Sequence, residues 1–239
     1  MSRHLHIGAI IFPRLDQIDF TGPFEVLSRL PNVTFHVAWK DKKPLRDIKG
    51  LILTPDKSLD EVPPLDVLLV PGGPGQEELM EDEAVLSFIR QQAAHAQCVF
   101  SICTGALICG AAGLLQGARA TTYWSAFGLL KYFGAIPVNE RVVIDGKLVT
   151  AAGVTAGIDG ALRVAALLRG DQAAQQIQLS IEYAPEPPFH SGSPATAPPD
   201  VLHAVQQQIA DLSAKRLATA RRLATKLGVR VDADSKSGD

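Results

Sequence analysis

Short apolar runs alternate with amphipathic stretches along this chain. His6 to Phe12 reads as a first strand. Pro23 to Leu30 reads as a short helix with Pro near its first turn. Thr34 to Trp39 alternates like a strand, and Leu51 to Leu53 is a short strand or strand edge. Asp66 to Val70 and Cys98 to Ile102 are compact apolar runs, as in strands buried on both faces. Glu83 to Ala96 places Val85, Phe88, Ile89 and Gln92 at helical spacing. Thr104 to Leu115 is a small-residue helix broken at Gly117, and Trp124 to Phe133 a helix stopped by Gly134. Val142 to Ile144 and Leu148 to Thr150 flank Asp145-Gly146, a hairpin signal. Ala156 to Leu168 and Asp171 to Tyr183 read as helices.

Strands alternating with helices imply an α/β fold, a mostly parallel sheet covered on both faces. The expected organisation is a core over residues 1–183, a Pro-rich strap over 184–199, a C-terminal helix over 200–228 and a disordered tail over 229–239. The strap holds Pro185, Pro187, Pro188, Pro194, Pro198 and Pro199, so it is neither helix nor central strand. It reads as a linker, or as an ordered segment anchored by Tyr183 and Phe189. In the last helix, Lys215, Arg216, Arg221, Arg222 and Lys226 read as a solvated, basic C-terminal end.

Composition narrows the function. The 239 residues carry 23 basic and 25 acidic side chains, so no basic surplus marks nucleic acid or an anionic membrane as a partner. No apolar run approaches the ~20 residues that span a bilayer. Three cysteines cannot all pair, which argues against a disulfide scaffold and for a reduced, cytoplasmic setting.

The stretch Cys98-Val-Phe-Ser-Ile-Cys103-Thr104-Gly105 runs a buried strand into a cysteine and then into a helix. That is the strand-turn-helix form of a nucleophile elbow. Helix N-terminal N–H groups favour a thiolate at such a turn. Cys98 and Cys109 read as packing residues. Val70-Pro71-Gly72-Gly73-Pro74-Gly75 follows another buried strand. It reads as a plain tight turn, or as an oxyanion site combining the N–H of Gly73 with that of Thr104. Asp19 stands before a helix start, either as an N-cap or as a carboxyl group beside Cys103. In Gly153-Val154-Thr155-Ala156-Gly157-Ile158-Asp159, Thr155 and Asp159 read as helix-holding and Gly153 and Ile158 as pocket candidates. None of the six histidines falls in a Gly-rich turn of the core, and no metal-ligand spacing is present.

Asp19-Phe-Thr-Gly-Pro23, Val70-Pro-Gly-Gly73, Ser101-Ile-Cys-Thr-Gly105, Ala120-Thr-Thr-Tyr-Trp124 and Gly153 to Asp159 together resemble the ThiJ/PfpI superfamily, from Ile7 to about Tyr183. Gln178-Leu179, Glu182 to Pro185 and Pro187-Pro188-Phe189 extend the likeness towards its isonitrile hydratase branch. The resemblance implies a flavodoxin-like three-layer sandwich, no cofactor or metal, and a homodimer. It implies hydration of a small isonitrile through a Cys103 thioimidate. Cys103, Asp19 and Thr104 would be catalytic, with Gly73 and Thr104 supplying backbone donors. Gly72, Trp124, Ile158 and Tyr183 would meet the substrate. Where the superfamily often has His, this chain has Tyr123, which points away from Cys-His hydrolase chemistry. The same fold also serves in ligand-sensing regulators and in cysteine redox proteins, and these stand as alternatives.

Overall fold

A computed structural model describes residues 3–231. Its centre is a seven-stranded sheet. In chain order the strands are β1 (Leu5–Ile10), β2 (Val33–Trp39), β3 (Lys57–Ser58), β4 (Val67–Val70), β5 (Cys98–Ile102), β6 (Val142–Asp145) and β7 (Leu148–Ala151). Their spatial order is β6-β7-β5-β4-β1-β2-β3. Every pairing is parallel except β6 with β7, the hairpin turned at Asp145-Gly146. Every residue of β4 and β5 is buried, as their unbroken apolar sequences require in a sheet covered on both faces. Ile52–Leu53 is a strand outside this sheet, pairing antiparallel with Leu45–Arg46.

The helices are α1 (Gln17–Leu27), α2 (Gln76–Leu79), α3 (Glu83–His95), α4 (Gly105–Ala111), α5 (Ala156–Arg169), α6 (Asp171–Ser180) and α7 (Pro199–Lys226). One group packs α1 on α5 and α5 on α6. The other joins α3, α4, the 3₁₀ segment Trp124–Phe133 and α7.

Two expectations are corrected. The first helix starts six residues before Pro23, which lies inside it. Asp16 caps that start by accepting from the Ile18 N–H at 3.3 Å. Asp19 is therefore in the first turn of α1, not its N-cap. Pro23 has no N–H to give the Asp19 carbonyl, yet its ring packs on α5, where a Cβ added to Gly157 would lie 3.2 Å from Pro23 Cγ. The second correction concerns the last helix. Its basic run is not uniformly solvated, because Arg216 is only 5% exposed. Its face carries Thr219, Ala220, Leu223 and Ala224 into the core as well.

Residues 184–198 form neither helix nor strand. Tyr183 anchors the start of this strap by donating to Asp159 Oδ1 at 2.9 Å, whereas Phe189 is 79% exposed and anchors nothing. The chain stays ordered past 229: the Val229 N–H donates to the Ala224 carbonyl at 2.9 Å, and Val229 and Val231 lie against the core. The rest of the expected tail, 232–239, lies outside the described residues.

Candidate active site

The chain leaves β1 towards β2 on one side and reaches β4 on the other. This makes the C-terminal edge between β1 and β4 a topological switch point, where open α/β sheets open a crevice. Three connections meet at that edge. The turn after β1 leads into α1 with Asp19. The turn after β4 holds Pro71, Gly72 and Gly73. The turn after β5 is Cys103 itself, followed by Thr104 and α4.

Cys103 has φ of 55°, in the left-handed region that non-glycine residues rarely occupy. This is the sharp strand-to-helix reversal that the sequence suggests. The reversal fits because the next loop is glycine. A Cβ on Gly72 would sit 2.6 Å from the Thr104 nitrogen, and one on Gly105 would run into the Val70 carbonyl. The Thr122 hydroxyl donates to the Cys103 carbonyl at 2.6 Å and fixes the turn from the other side.

Asp19 is fully buried. Its Oδ2 accepts from the Gly72 N–H at 2.8 Å, while the buried Oδ1 has no hydrogen-bond partner. Cys103 acts on this carboxyl electrostatically, favouring its charged form, but no side-chain hydrogen bond joins the two among the described residues. No basic residue forms an ion pair with Asp19 among the described residues. Burial, with the nearby Asp16 charge, pushes its pKa from 3.8 up to about 8, against the opposing pull of the Gly72 N–H and Cys103. At neutral pH Asp19 is mostly a carboxylic acid.

Cys103 departs from the expectation of a resting thiolate. Burial and then the Asp19 charge hold its pKa well above the ordinary 9.0. The Thr104 N–H and Arg216 pull it back without reversing that result. The sulfur is 5% exposed as a residue and stays a thiol until a reaction takes its proton. Cys98 and Cys109 are buried free thiols pushed to about 12 by desolvation, in keeping with packing roles.

The oxyanion expectation also needs correcting. The Gly73 N–H is committed to Thr104 Oγ1 at 3.1 Å, and the Gly72 N–H to Asp19. Of the two expected backbone donors, the Thr104 N–H faces the sulfur and the Gly73 N–H does not. The Thr104 hydroxyl, buried with its residue, is held within this clamp and donates to the Gly73 carbonyl at 3.4 Å.

A cavity of about 720 Å³ opens beside the elbow. Thr122 and Tyr123 connect it to Cys103, and Trp124, Phe127 and Val154 give it apolar wall. The strap contributes Gly192 to Ala195 to its rim. Of the expected substrate and pocket residues, Trp124 and Gly153 line it. Gly72 is buried behind the clamp. Ile158 packs on α1, where a Cβ on Gly22 would lie 3.0 Å from its Cγ1. Tyr183 lines a separate cavity of about 830 Å³ with Arg141 and Asp159, which are themselves ion-paired. Tyr123 is half-buried, tilted against Trp124 with ring centroids 5.4 Å apart, and interacts electrostatically with Cys103.

Sequence reasoning missed Arg216. Its Nε donates to Gln76 Oε1 at 3.0 Å and its Nη2 to the Gly73 carbonyl at 3.1 Å. It lies 143 positions from Gly73, in a run of basic residues that helical spacing alone assigns to solvent. The signal for it was the helix's apolar stripe, whose neighbouring position Arg216 occupies. Among the described residues no group of His, Cys, Asp and Glu is arranged to hold a metal ion, and no helix is long and apolar enough to cross a membrane.

Comparison with known proteins places this geometry. Isonitrile hydratase of Pseudomonas putida is 51% identical over 226 residues, covering 95% of this chain and 99% of its own. The crystal structure of a ThiJ/PfpI family protein from Pseudomonas syringae superposes with a TM-score of 0.89 at 37% identity, covering 92% of this chain and 91% of that one. Drosophila melanogaster DJ-1β shares the fold alone, with a TM-score of 0.70 at 24% identity over 77% of this chain and 100% of its own. The DJ-1/PfpI family model matches residues 6–167, the span that runs from within β1 to within α5 and includes the Cys103 elbow, and the chain belongs to the DJ-1/PfpI family.

Proposed function

We propose that this chain hydrates isonitriles, adding water to R–N≡C to give the N-substituted formamide R–NH–CHO. The observation that carries the reading is the fully buried Asp19 carboxyl, its pKa pushed up to about 8, at the same sheet edge as Cys103, in a chain half identical to an isonitrile hydratase along nearly its whole length. The terminal isonitrile carbon holds a lone pair and is also electrophilic. It therefore needs an acid and a nucleophile at one atom, and Asp19 and Cys103 supply them.

Asp19 gives its proton to the isonitrile carbon as the Cys103 sulfur bonds to that carbon. The thiol proton passes to the Asp19 carboxylate, so the acid is restored. The product is a thioimidate, Cys–S–CH=N–R. The Thr104 N–H, directed at the sulfur, steadies charge there during attack and departure. Water then adds to the thioimidate carbon and the nitrogen is protonated. The tetrahedral adduct collapses, expelling the thiol and releasing the formamide. No redox step or cofactor enters this balance. The R group occupies the cavity against Trp124 and Phe127.

We place the active protein in the cytoplasm as a homodimer, on its unpaired cysteines and the habit of the superfamily. A redox-sensor role is less suited to this site, because peroxide reacts with thiolates and burial disfavours one here. Turnover tests the proposal. Wild type should convert an alkyl isonitrile to its formamide. Cys103→Ala should abolish conversion, and Asp19→Asn should slow it by about 100-fold or more, the usual range for a lost general acid. No formamide from wild type across alkyl and aryl isonitriles would sink the assignment.

A further inference from the structure

The C-terminal helix α7 sends one charged side chain into the molecule. Arg216 is buried and no carboxylate pairs with it among the described residues. Burying an unpaired charge is costly, so its contacts carry the explanation. All three acceptors are at the elbow. They are Gln76 Oε1 at the start of α2, the Gly73 carbonyl, and more distantly Thr104 Oγ1 at 3.5 Å from Nη2. Thr104 Oγ1 in turn accepts from the Gly73 N–H. The guanidinium thus closes a clamp between the turn after β4 and the residue that follows Cys103. That turn also holds the Gly72 N–H on Asp19.

We propose that Arg216 is a positioning residue for Cys103, fixing the Gly73–Thr104 clamp and supplying a permanent positive charge beside the sulfur. Its turnover consequence rests on the hydratase reading; its effect on the thiol does not. The groups that act on Cys103 are Asp19 and Asp16 from the α1 end, the Thr104 N–H from α4, Tyr123 before the 3₁₀ segment, and Arg216 from α7. Glu77 of α2 also acts on Arg216. With Asp19 mostly neutral, Arg216 is the fixed charge that favours negative sulfur when the thiol is deprotonated or expelled. Burial lowers the Arg216 pKa, while Cys103, Glu77 and Tyr123 work against that lowering.

The experiment compares the full-length wild type with R216K and R216M. Iodoacetamide alkylation of Cys103 is followed against pH, with peptide mass spectrometry assigning the site, alongside kcat and KM for an alkyl isonitrile. R216M should alkylate about tenfold more slowly at a given pH, equivalent to a thiol profile moved up by about one unit. R216K keeps the charge but not the fork of donors. It should retain a profile near wild type and lose kcat several-fold with KM little changed. Equal alkylation profiles for wild type and R216M would overturn the charge role. An unchanged kcat in R216K would overturn the positioning role. If R216M does not fold, R216Q takes its place in the alkylation series, and if that also fails R216K alone decides through kcat. Wild-type alkylation that proceeds without any isonitrile turnover would refute the hydratase assignment while leaving the thiol comparison intact.

Discussion

At the residue scale, Asp19 and Cys103 are two acids in one buried pocket: burial pushes both towards their neutral forms, and the Asp19 charge raises the Cys103 pKa further, while Cys103 pulls the Asp19 pKa the other way. The consequence for stability has a definite sign. The folded Asp19 holds its proton up to about 8, whereas in the unfolded chain it releases it near 3.8. Stability from this group is present in full below the unfolded value and is lost as pH rises towards 8. Asp19→Asn removes that dependence. Its stability relative to wild type should rise by on the order of 1 kcal/mol per pH unit between pH 4 and 8. Denaturant unfolding of both proteins at several pH values checks this, and parallel pH curves would refute it. The cysteine itself was legible in sequence because the strand-to-helix junction is a local pattern. The protonation states were not. They depend on which groups share the pocket, and sequence spacing does not report burial.

At the element scale, the site depends on how closely two turns approach. Gly105 opens α4 directly beneath the end of β4, where any Cβ would strike the Val70 and Pro71 carbonyls. Gly105→Ala should therefore destabilise by about 2 kcal/mol or more, since backbone cannot rotate away as a side chain can. Thermal unfolding measures this, and a Tm within a degree of wild type would contradict it. The β-strands of the sheet core were readable from their apolar runs, because burial on both faces leaves little else to encode. The start of α1 was not. Pro23 signals a first turn by propensity, but Asp16 caps the helix seven residues upstream and tertiary packing on α5 keeps it continuous past the proline. That difference moved Asp19 from the end of the helix into its buried first turn.

At the scale of the whole molecule, the family fold over residues 6–167 supplies the elbow, the acid and the sheet edge. The segments beyond it complete the site. The strap contributes Gly192 to Ala195 to the cavity rim, and α7 contributes Arg216 to the clamp. Composition argued only against nucleic acid or an anionic membrane as partner and against a disulfide scaffold; the small-molecule substrate came from the family resemblance. The long-range convergence of α7 on the elbow was hidden, because an amphipathic stripe locates a buried face but not what lies opposite it. The central claim is that isonitrile carbon bonds to Cys103 on the way to formamide. Rapid acid quench of wild type with excess alkyl isonitrile, followed by intact-mass and peptide analysis, tests it most directly. The account predicts a transient gain of one isonitrile mass on Cys103, absent in Cys103→Ala and decaying as formamide appears. Formamide production by wild type with no adduct on Cys103, or at an undiminished rate in Cys103→Ala, would contradict it.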